Sequence, residues 1–382
     1  MGLYEERMEL VRKTVTLEGN DRVPVHCVCE NSFAIQYCEM DYRYASWDPY
    51  IFGDAYQKVL TDFYWDSCDG MFVRPSQLYR ELGSVNFVEN QNGYVQHPEV
   101  VGLQADEYDE LIADPWKCIV GKVLPRLYRN LSGEHPYGMY NLAKGAIAYE
   151  RFFGNLVDKA IQVEEETQVP ALAPGLTEVP FDYVADQLRS FTGISKDLRR
   201  HADKIIAACE AVLPLVLKAG RDSMEPGETL PWICVPLHMP PYLSTKQFEK
   251  FYWPTFKEFI ETLVGEGYTL QLFLESDWSR YYDYLQDLPD NGKLVYYFEY
   301  VDPAQAKKLL GDRYCLQGFY PVEILKQGTQ QECIDKAKEI LDIMAPGGGY
   351  IFSPEKVIID VNDINTDNLK VVNEFVRDYA LY

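Results

Sequence analysis

The 382-residue chain alternates short apolar or β-branched segments with longer helical patterns from Asp69 to its end. Each short segment stops near Gly, Pro, Asn, Asp or Ser, and an amphipathic helical pattern then follows. The eight candidate strands are Asp69–Arg74, Tyr137–Leu142, Val169–Pro174, Pro231–Leu237, Tyr268–Leu274, Lys293–Tyr300, Tyr314–Gly318 and Gly349–Phe352. Strands that each lead into a helix predict an α/β fold of the (β/α)8 or TIM-barrel type.

The predicted helices have recognisable periodicity and ends. Phe181–Arg189 and Lys196–Leu217 repeat apolar residues at three- and four-residue spacing. Ser244 is a predicted N-cap, and helices are expected over Ala304–Leu310 and Gln330–Met344. An open doubly wound sheet is the alternative fold. It is disfavoured because no G-x-G-x-x-G or G-x-x-x-x-G-K-[ST] motif is present.

The chain has no Pro/Gly/Ser-rich linker, no repeat and no low-complexity segment. We therefore expect one domain over residues 1–382, because a barrel of this kind exceeds the usual domain length as a single unit. Residues 1–65 precede the first candidate strand. They are predicted to form an N-terminal extension that packs against the barrel.

The balance of charge excludes several classes of partner. The sequence contains 36 Lys+Arg and 59 Asp+Glu, which gives a formal net charge of −23. Such a chain repels phosphate, so we expect neither nucleic acid nor an anionic membrane surface as a partner. No run approaches 18 apolar residues, and the charged N-terminus lacks the apolar region of a signal peptide.

The nine cysteines are scattered and odd in number, and no C-x-x-C pair occurs among them. This pattern indicates reduced thiols that mostly fill the core, and it predicts a cytoplasmic protein. A structural zinc finger is not expected, because its paired cysteine ligands are missing.

In a barrel of this type the active site lies at the carboxyl ends of the strands. Glu275 and Asp277 follow the fifth candidate strand, and His238 follows the fourth. Two like charges near an apolar barrel raise the pKa of one carboxyl, which then holds a proton near neutral pH. Glu275, His238 and Asp277 are therefore the predicted catalytic residues. The alternatives are a helix cap for Asp277 and a structural role for His238.

Other residues at predicted strand ends are candidates for binding the substrate. The 29 Tyr, 18 Phe and 6 Trp residues favour a pocket for an apolar or aromatic ligand, although most of them must belong to the core. The predicted substrate-binding residues are Glu299, Tyr320, Phe273, Trp278 and Asn141.

An ordered series of short motifs resembles the uroporphyrinogen decarboxylase superfamily. These motifs begin with Arg22-Val23-Pro24-Val25 and Pro180-Phe181-Asp182, and they end with Gly348-Gly349-Tyr350-Ile351. Each motif is weak alone, but together they are collinear from about residue 5 to the C-terminus. The resemblance implies a (β/α)8 barrel. It also implies either decarboxylation of uroporphyrinogen or methyl transfer involving a corrinoid protein.

The sequence departs from both branches of this superfamily. The decarboxylases carry an arginine-rich stretch where this chain reads Val28-Cys29-Glu30-Asn31-Ser32. The zinc-dependent methyltransferases carry a His-x-Cys where this chain reads Phe273-Leu274-Glu275, and a later Cys where it has Lys356. The resemblance therefore favours a methyltransferase that lacks the zinc thiolate site. Zinc is possible but not favoured, and a metal held by Glu275, Asp277 and His238 remains open.

The function that this resemblance implies is demethylation of a methoxylated aromatic. The methyl group would pass to cobalamin carried by a separate corrinoid protein, and Glu275 would protonate the phenolic leaving oxygen with help from His238 and Asp277. The N-terminal segment and the strand-end loops would dock that partner. The alternatives are a decarboxylase, a methyltransferase for methanol or a methylamine, and a catalytically silent homologue that binds a ligand.

Overall fold

The computed structural model describes residues 2–19, 21–72, 74–132, 136–227 and 230–379. Its strands are β1 His26–Cys27, β2 Ser67–Cys68, β3 Val88–Glu89, β4 Val95–Gln96, β5 Gly175–Leu176, β6 Trp232–Leu237, β7 Thr269–Leu274, β8 Leu294–Phe298, β9 Cys315–Tyr320 and β10 Tyr350–Pro354. Its α-helices are α1 Leu3–Val15, α2 Asn31–Tyr37, α3 Tyr42–Ala45, α4 Pro49–Asp62, α5 Ser76–Leu82, α6 Tyr108–Ala113, α7 Pro115–Cys118, α8 Leu124–Leu127, α9 Tyr137–Thr167, α10 Pro180–Tyr183, α11 Phe191–Arg200, α12 Ala202–Ser223, α13 Thr245–Gln247, α14 Trp253–Gly265, α15 Tyr282–Leu285, α16 Pro303–Leu310, α17 Val322–Gln327, α18 Gln330–Met344 and α19 Thr366–Tyr379. Stretches of π-helix at Ile119–Val123, Val184–Arg189 and Phe248–Tyr252 extend neighbouring helices.

Six parallel strands form the central sheet in the order β10-β9-β8-β7-β6-β5. The parallel pair β1–β2 lies beside this sheet, and single parallel bridges join Val25 to Phe352 and Cys68 to Ala171. Both ends of the six-stranded sheet thus contact the β1–β2 pair. This α/β arrangement is compatible with an eight-stranded barrel.

Alternation along the strands separates two environments. On β7, Leu270, Leu272 and Leu274 belong to the main hydrophobic core, whereas Gln271 and Phe273 point to the opposite side of the strand. A second, smaller core lies near the beginnings of the strands. It joins Val11 and Val15 of α1 to strand residues, namely Trp232, Val295, Cys315 and Ile351. Helix α1 therefore packs where the strands begin, and the candidate site lies where the strands end.

Five predicted strands agree with β6–β10 to within a few residues. The first differs, because β2 covers Ser67–Cys68 rather than Asp69–Arg74, and Val73 lies outside the described residues. The predicted strand Val169–Pro174 is reduced to a bridge at Ala171, followed by β5. The predicted N-terminal extension, residues 1–65, itself supplies β1. The Cys27-Val28-Cys29 run is apolar and strand-like, but it is not among the eight candidate strands.

The prediction of a strand at Tyr137–Leu142 is wrong. These residues form the first turns of α9, a helix of 31 residues. A short apolar run cannot be assigned to strand or helix by periodicity alone. The alanines that follow, at positions 143, 146 and 148, have high helix propensity and favour the helix.

The predicted helix ends agree better with the structure. Ser244 accepts a hydrogen bond from the Gln247 N–H, and Thr329 caps α18 in the same way. The predicted helix Lys196–Leu217 is divided at His201 into α11 and α12. Among the helices of the described residues, none is both long and apolar enough to cross a membrane.

Candidate active site

Acidic side chains follow most strands of the sheet. Glu275 comes directly after β7, Glu299 directly after β8 and Glu355 directly after β10. Asp69 directly follows β2, and Glu178 lies two residues beyond β5. Glu30 follows the bridge at Cys29. We call these six residues the strand-end carboxyls. Because parallel strands end at the same edge of a sheet, this edge is the natural place for a site.

His238, which follows β6, lies between two carboxylates. Its Nδ1 is 2.6 Å from Asp186 Oδ2, and its Nε2 is 3.1 Å from Glu275 Oε1. The side chains of His238 and Glu275 are 38% and 33% exposed, so both can be reached from solvent. Burial lowers the pKa of His238, but its hydrogen bonds to Asp186 and Glu275 outweigh burial and raise that pKa to about 11. His238 therefore carries a proton at neutral pH and donates through both ring nitrogens.

Asp182 fixes the backbone beside His238. Its Oδ1 accepts the Met239 N–H at 2.9 Å, and its Oδ2 lies 2.7 Å from the Tyr252 hydroxyl. Burial, together with the neighbouring Asp186, raises the pKa of Asp182. Asp182 and Asp186 are one helical turn apart in Pro180–Arg189. This segment therefore supplies both the anchor of the loop and one partner of the histidine.

Glu178 is a third carboxyl near His238. Its Oε1 accepts the Gln187 side-chain N–H at 2.8 Å, whereas its Oε2 is buried without a hydrogen-bond partner among the described residues. Burial, together with Asp186, raises the pKa of Glu178 to about 7. Glu178 is thus divided between its neutral and charged forms near neutral pH.

Replacing Glu178 with glutamine is expected to stabilise the protein only at higher pH. Its folded-state pKa is raised, so its contribution to stability is full below its ordinary pKa of 4.5 and is lost as the pH rises through about 7. At pH 8 the Tm of Glu178→Gln should exceed that of wild type by about 2 °C, the order of a 1 kcal/mol gain in a large domain. At pH 4 the two Tm values should coincide. A higher Tm at both pH values would contradict this explanation.

Glu299 holds the loop that carries Glu275. Its Oε2 accepts the Ser276 N–H at 2.6 Å, and Ser276 has a φ of 64°, in the left-handed region. Burial raises the pKa of Glu299, and Glu275 adds to the effect. The sequence predicted Glu299 as a substrate contact. In the structure its carboxylate holds the backbone of the loop after β7.

A second histidine, His26, was not predicted as a site residue because it lies in the unrecognised strand β1. It is fully buried, with Nδ1 2.8 Å from Ser67 Oγ and Nε2 3.0 Å from Asp69 Oδ1. Asp69 is part-exposed and acts on the pKa values of Cys234 and Tyr297, so it also belongs to this edge of the sheet. In the sequence, Asp69 at the start of the predicted first strand was the feature that could have indicated this part of the site.

Phe273 and Tyr297 form a stacked aromatic pair, and each lies two residues before a strand-end carboxyl, Glu275 and Glu299. Their rings stack at a centroid distance of 4.4 Å, and the Tyr297 hydroxyl donates to the Pro354 carbonyl at 3.1 Å. One layer deeper, the Gln271 amide donates to Gln317 Oε1 at 2.8 Å. Phe273, a predicted substrate contact, therefore lies two residues before Glu275 with its ring against Tyr297.

Three predicted substrate contacts lie elsewhere. Tyr320 is buried, and its hydroxyl donates to the Cys333 carbonyl on α18, so its side chain lies between the sheet and a helix. Trp278 is buried edge-on against Phe248, with its indole N–H bonded to the Glu275 carbonyl. Asn141 lies on α9, where its amide donates to the Asn130 carbonyl. Tyr320 was misplaced because alternate residues of β9 point to opposite sides of the strand, and its side chain points towards α18. Asn141 was misplaced because the predicted second strand is part of helix α9.

Asp277 caps a turn instead of joining the histidine. Strand β7 stops at Leu274, and the exposed Asp277 carboxylate accepts the Ser279 N–H at 2.8 Å. We therefore expect Asp277→Asn to leave kcat within about twofold of wild type and to change stability by less than about 1 kcal/mol, because Asn also serves as a cap. Steady-state kinetics and a urea titration measure both. A loss of activity comparable to that of a Glu275 variant would contradict this role.

The charged partner of Glu275 therefore differs from the one that the sequence predicted. Glu275 was predicted to gain a proton through repulsion by Asp277, but its partner is the imidazolium of His238. Among the described residues, no three His, Cys, Asp or Glu side chains are grouped so as to hold a metal ion. Glu275, Asp277 and His238 in particular do not form a metal site, because Asp277 faces Ser279.

One comparison with known proteins places the chain in a family. Residues 160–379 match the family model described as uroporphyrinogen decarboxylase (URO-D). None of the curated proteins matches the chain. The matched region is more than half of the chain, and it contains β5–β10 together with Glu178, Asp182, Asp186, His238 and Glu275. Members of this family are generally enzymes, either decarboxylases or methyltransferases. The chain therefore belongs to the uroporphyrinogen decarboxylase family.

Proposed function

We propose that this protein is a methyltransferase that demethylates a methoxylated aromatic compound and passes the methyl group to a separate corrinoid protein. The observation that carries the proposal is His238, which holds a proton between Asp186 and Glu275 at the ends of the strands. In this proposal the parallel segments close a (β/α)8 barrel, and the partner docks over its open end. All nine cysteines are free, which supports a reducing, cytoplasmic setting.

The difficult step in cleaving an aryl methyl ether is the departure of the oxygen. A phenoxide is a poor leaving group, because its conjugate acid has a pKa of about 10. The C–O electron pair stays on the oxygen as the methyl group leaves, and a proton delivered to that oxygen yields a neutral phenol. A protonated His238 paired with Glu275 can hold this proton and release it to the ether oxygen. Solvent then restores the proton to the histidine.

Other residues around the pair would orient the donor. Phe273, which stacks on the buried Tyr297, offers an aromatic ring at the same edge of the sheet, which suits an aromatic donor. Asp186 holds Nδ1 and thereby directs Nε2 towards Glu275. Glu299 fixes the Ser276 backbone and with it the position of Glu275. His238 and Glu275 are the proposed catalytic residues, and Asp186 and Glu299 are positioning residues.

The corrinoid of the partner would supply the nucleophile that accepts the methyl group. The strand-end loops and the part of the N-terminal segment that follows β1 are the proposed docking surface. They lie at the edge where His238 and Glu275 are part-exposed, whereas α1 packs where the strands begin. A methyl acceptor of this kind needs no zinc-bound thiolate on this chain. That agrees with Glu275 and Lys356 at the positions where the zinc-dependent relatives would carry ligands.

A methyl-transfer assay tests the proposal. The purified protein would be mixed with a reduced corrinoid protein and a panel of methoxylated aromatics, and the absorbance change of the corrinoid on methylation would be followed. We expect a change that depends on both donor and enzyme. A change only with methanol or a methylamine would retain methyl transfer and overturn the donor class. No change with any donor, although the corrinoid protein is competent with another methyltransferase, would overturn the proposed function.

A further inference from the structure

We propose that the methyl donor is an uncharged aromatic and that the strand-end carboxyls discriminate against donors bearing a carboxylate. This inference rests on the proposed function, and it narrows the class of substrate. Six carboxyl groups follow the strands, namely Glu30, Asp69, Glu178, Glu275, Glu299 and Glu355. A donor that reaches His238 from solvent must approach the edge that these groups surround.

The carboxyl groups already disfavour one another's charges. Burial is the main cause of the raised pKa values of Glu30, Glu299 and Glu355. In addition, Glu275 raises the pKa of Glu299, and Glu299 raises that of Glu355. The surroundings that raise these pKa values, through loss of solvation and through neighbouring carboxylates, also disfavour the negative charge of a bound carboxylate. A carboxylate on the donor would therefore be placed among like charges.

Three cations lie near the same edge, and each has a partner already. His238 lies between Asp186 and Glu275. The Arg74 guanidinium lies 5.1 Å from the centroid of the Phe87 ring, and Lys356 Nζ bonds the Tyr300 hydroxyl at 3.1 Å. These cations are outnumbered two to one by the strand-end carboxyls. The excess of negative charge therefore remains.

Glu178 is the strand-end carboxyl best placed to sense the donor. The adjacent Thr177 directs its hydroxyl to the Val216 carbonyl of α12, whereas the Glu178 carboxylate accepts from Gln187. Glu178 is close enough to His238 and Arg74 for both to affect its ionisation. Its Oε2 is buried and has no hydrogen-bond partner in the described structure. A hydroxyl group on an uncharged ring could donate the missing hydrogen bond to this atom.

A matched pair of donors tests the inference. Vanillate carries a carboxylate, whereas vanillamide has the same shape and no charge. We expect kcat/KM for vanillamide to exceed that for vanillate by about a hundredfold at pH 8, since like charges in direct contact disfavour binding strongly. In Glu178→Gln, which keeps the shape and removes one charge, this ratio should fall about tenfold. The control Glu210→Gln, on the exposed side of α12, should keep the wild-type ratio.

Binding of the demethylated analogues separates this inference from the proposed reaction. Calorimetry at pH 8 with 3,4-dihydroxybenzamide and 3,4-dihydroxybenzoate requires no turnover. Tighter binding of the amide by wild type, with a reduced difference in Glu178→Gln, supports the inference even if methyl transfer fails. Equal or tighter binding of the carboxylate would overturn the inference while leaving methyl transfer intact. Failure of the amide to bind at millimolar concentration would also overturn it.

Discussion

Replacing His238 with asparagine is expected to lower kcat for methyl transfer by about a thousandfold, within the range that general acid catalysis contributes. Asparagine occupies similar space and retains a donor and an acceptor, but it cannot carry the proton that His238 holds between Asp186 and Glu275. The Kd for the aromatic donor should stay within about threefold of wild type, because the lost interaction develops in the transition state. Single-turnover kinetics and calorimetry measure the two quantities.

A histidine outside the site provides the control. His201 lies at the junction between α11 and α12 and does not follow a strand. His201→Asn should therefore leave kcat unchanged. Glu275→Gln should behave like His238→Asn, because the proton relay needs both partners. The acid role would be refuted if His238→Asn kept its kcat, or if its whole effect appeared in the Kd.

The second large effect is on stability, and it comes from a buried ion pair beside the site. Asp197 Oδ2 accepts from Arg189 Nε at 2.6 Å and from the Tyr108 hydroxyl at 2.8 Å, and Arg189 also donates to the Leu103 carbonyl. Asp197→Ala leaves the Arg189 charge buried without its partner. We expect the free energy of unfolding to fall by about 3–5 kcal/mol, the usual loss when one member of a buried pair is removed.

Urea denaturation followed by circular dichroism measures this change. Asp222→Ala removes an exposed i,i+4 pair with Lys218 and should cost less than about 0.5 kcal/mol, so it serves as the control. The double replacement Arg189→Met with Asp197→Leu should recover part of the loss, because it removes the unpaired charge. If Asp197→Ala were no less stable than Asp222→Ala, the ion pair would not support the segment that carries Asp186.

The parts of the fold that sequence reasoning could predict are those with strong local signals. Strands β6–β10 are apolar, five or six residues long, and followed by helices with caps such as Ser244 and Thr329. Strand β1 escaped notice because two residues, His26–Cys27, carry too little periodicity to be recognised. Tyr137–Leu142 was misassigned because six apolar and polar residues fit either a strand or the start of a helix.

From the sequence, only those residues of the candidate site could be predicted that directly follow a recognisable strand. His238 and Glu275 were found because their strands were found. Asp186 and Glu178 were not, since their contribution depends on side chains brought together by folding. An acidic residue in a helix or a connecting loop normally indicates a solvated surface. Asp277 illustrates the reverse case, because a carboxylate two residues from Glu275 faces its own turn.

The amides in the interior of the sheet have a consequence for how the strands find their alignment. Gln271 on β7 bonds Gln317 on β9, and Gln317 lies 3.5 Å from the Ser353 hydroxyl on β10; all three are buried. Sliding β7 by one residue would turn Gln271 towards the helices and leave both amides unpaired in an apolar layer. The pair thus selects one register among several that the flanking leucines would accept. Its main contribution is to the uniqueness of the folded state rather than to its overall stability.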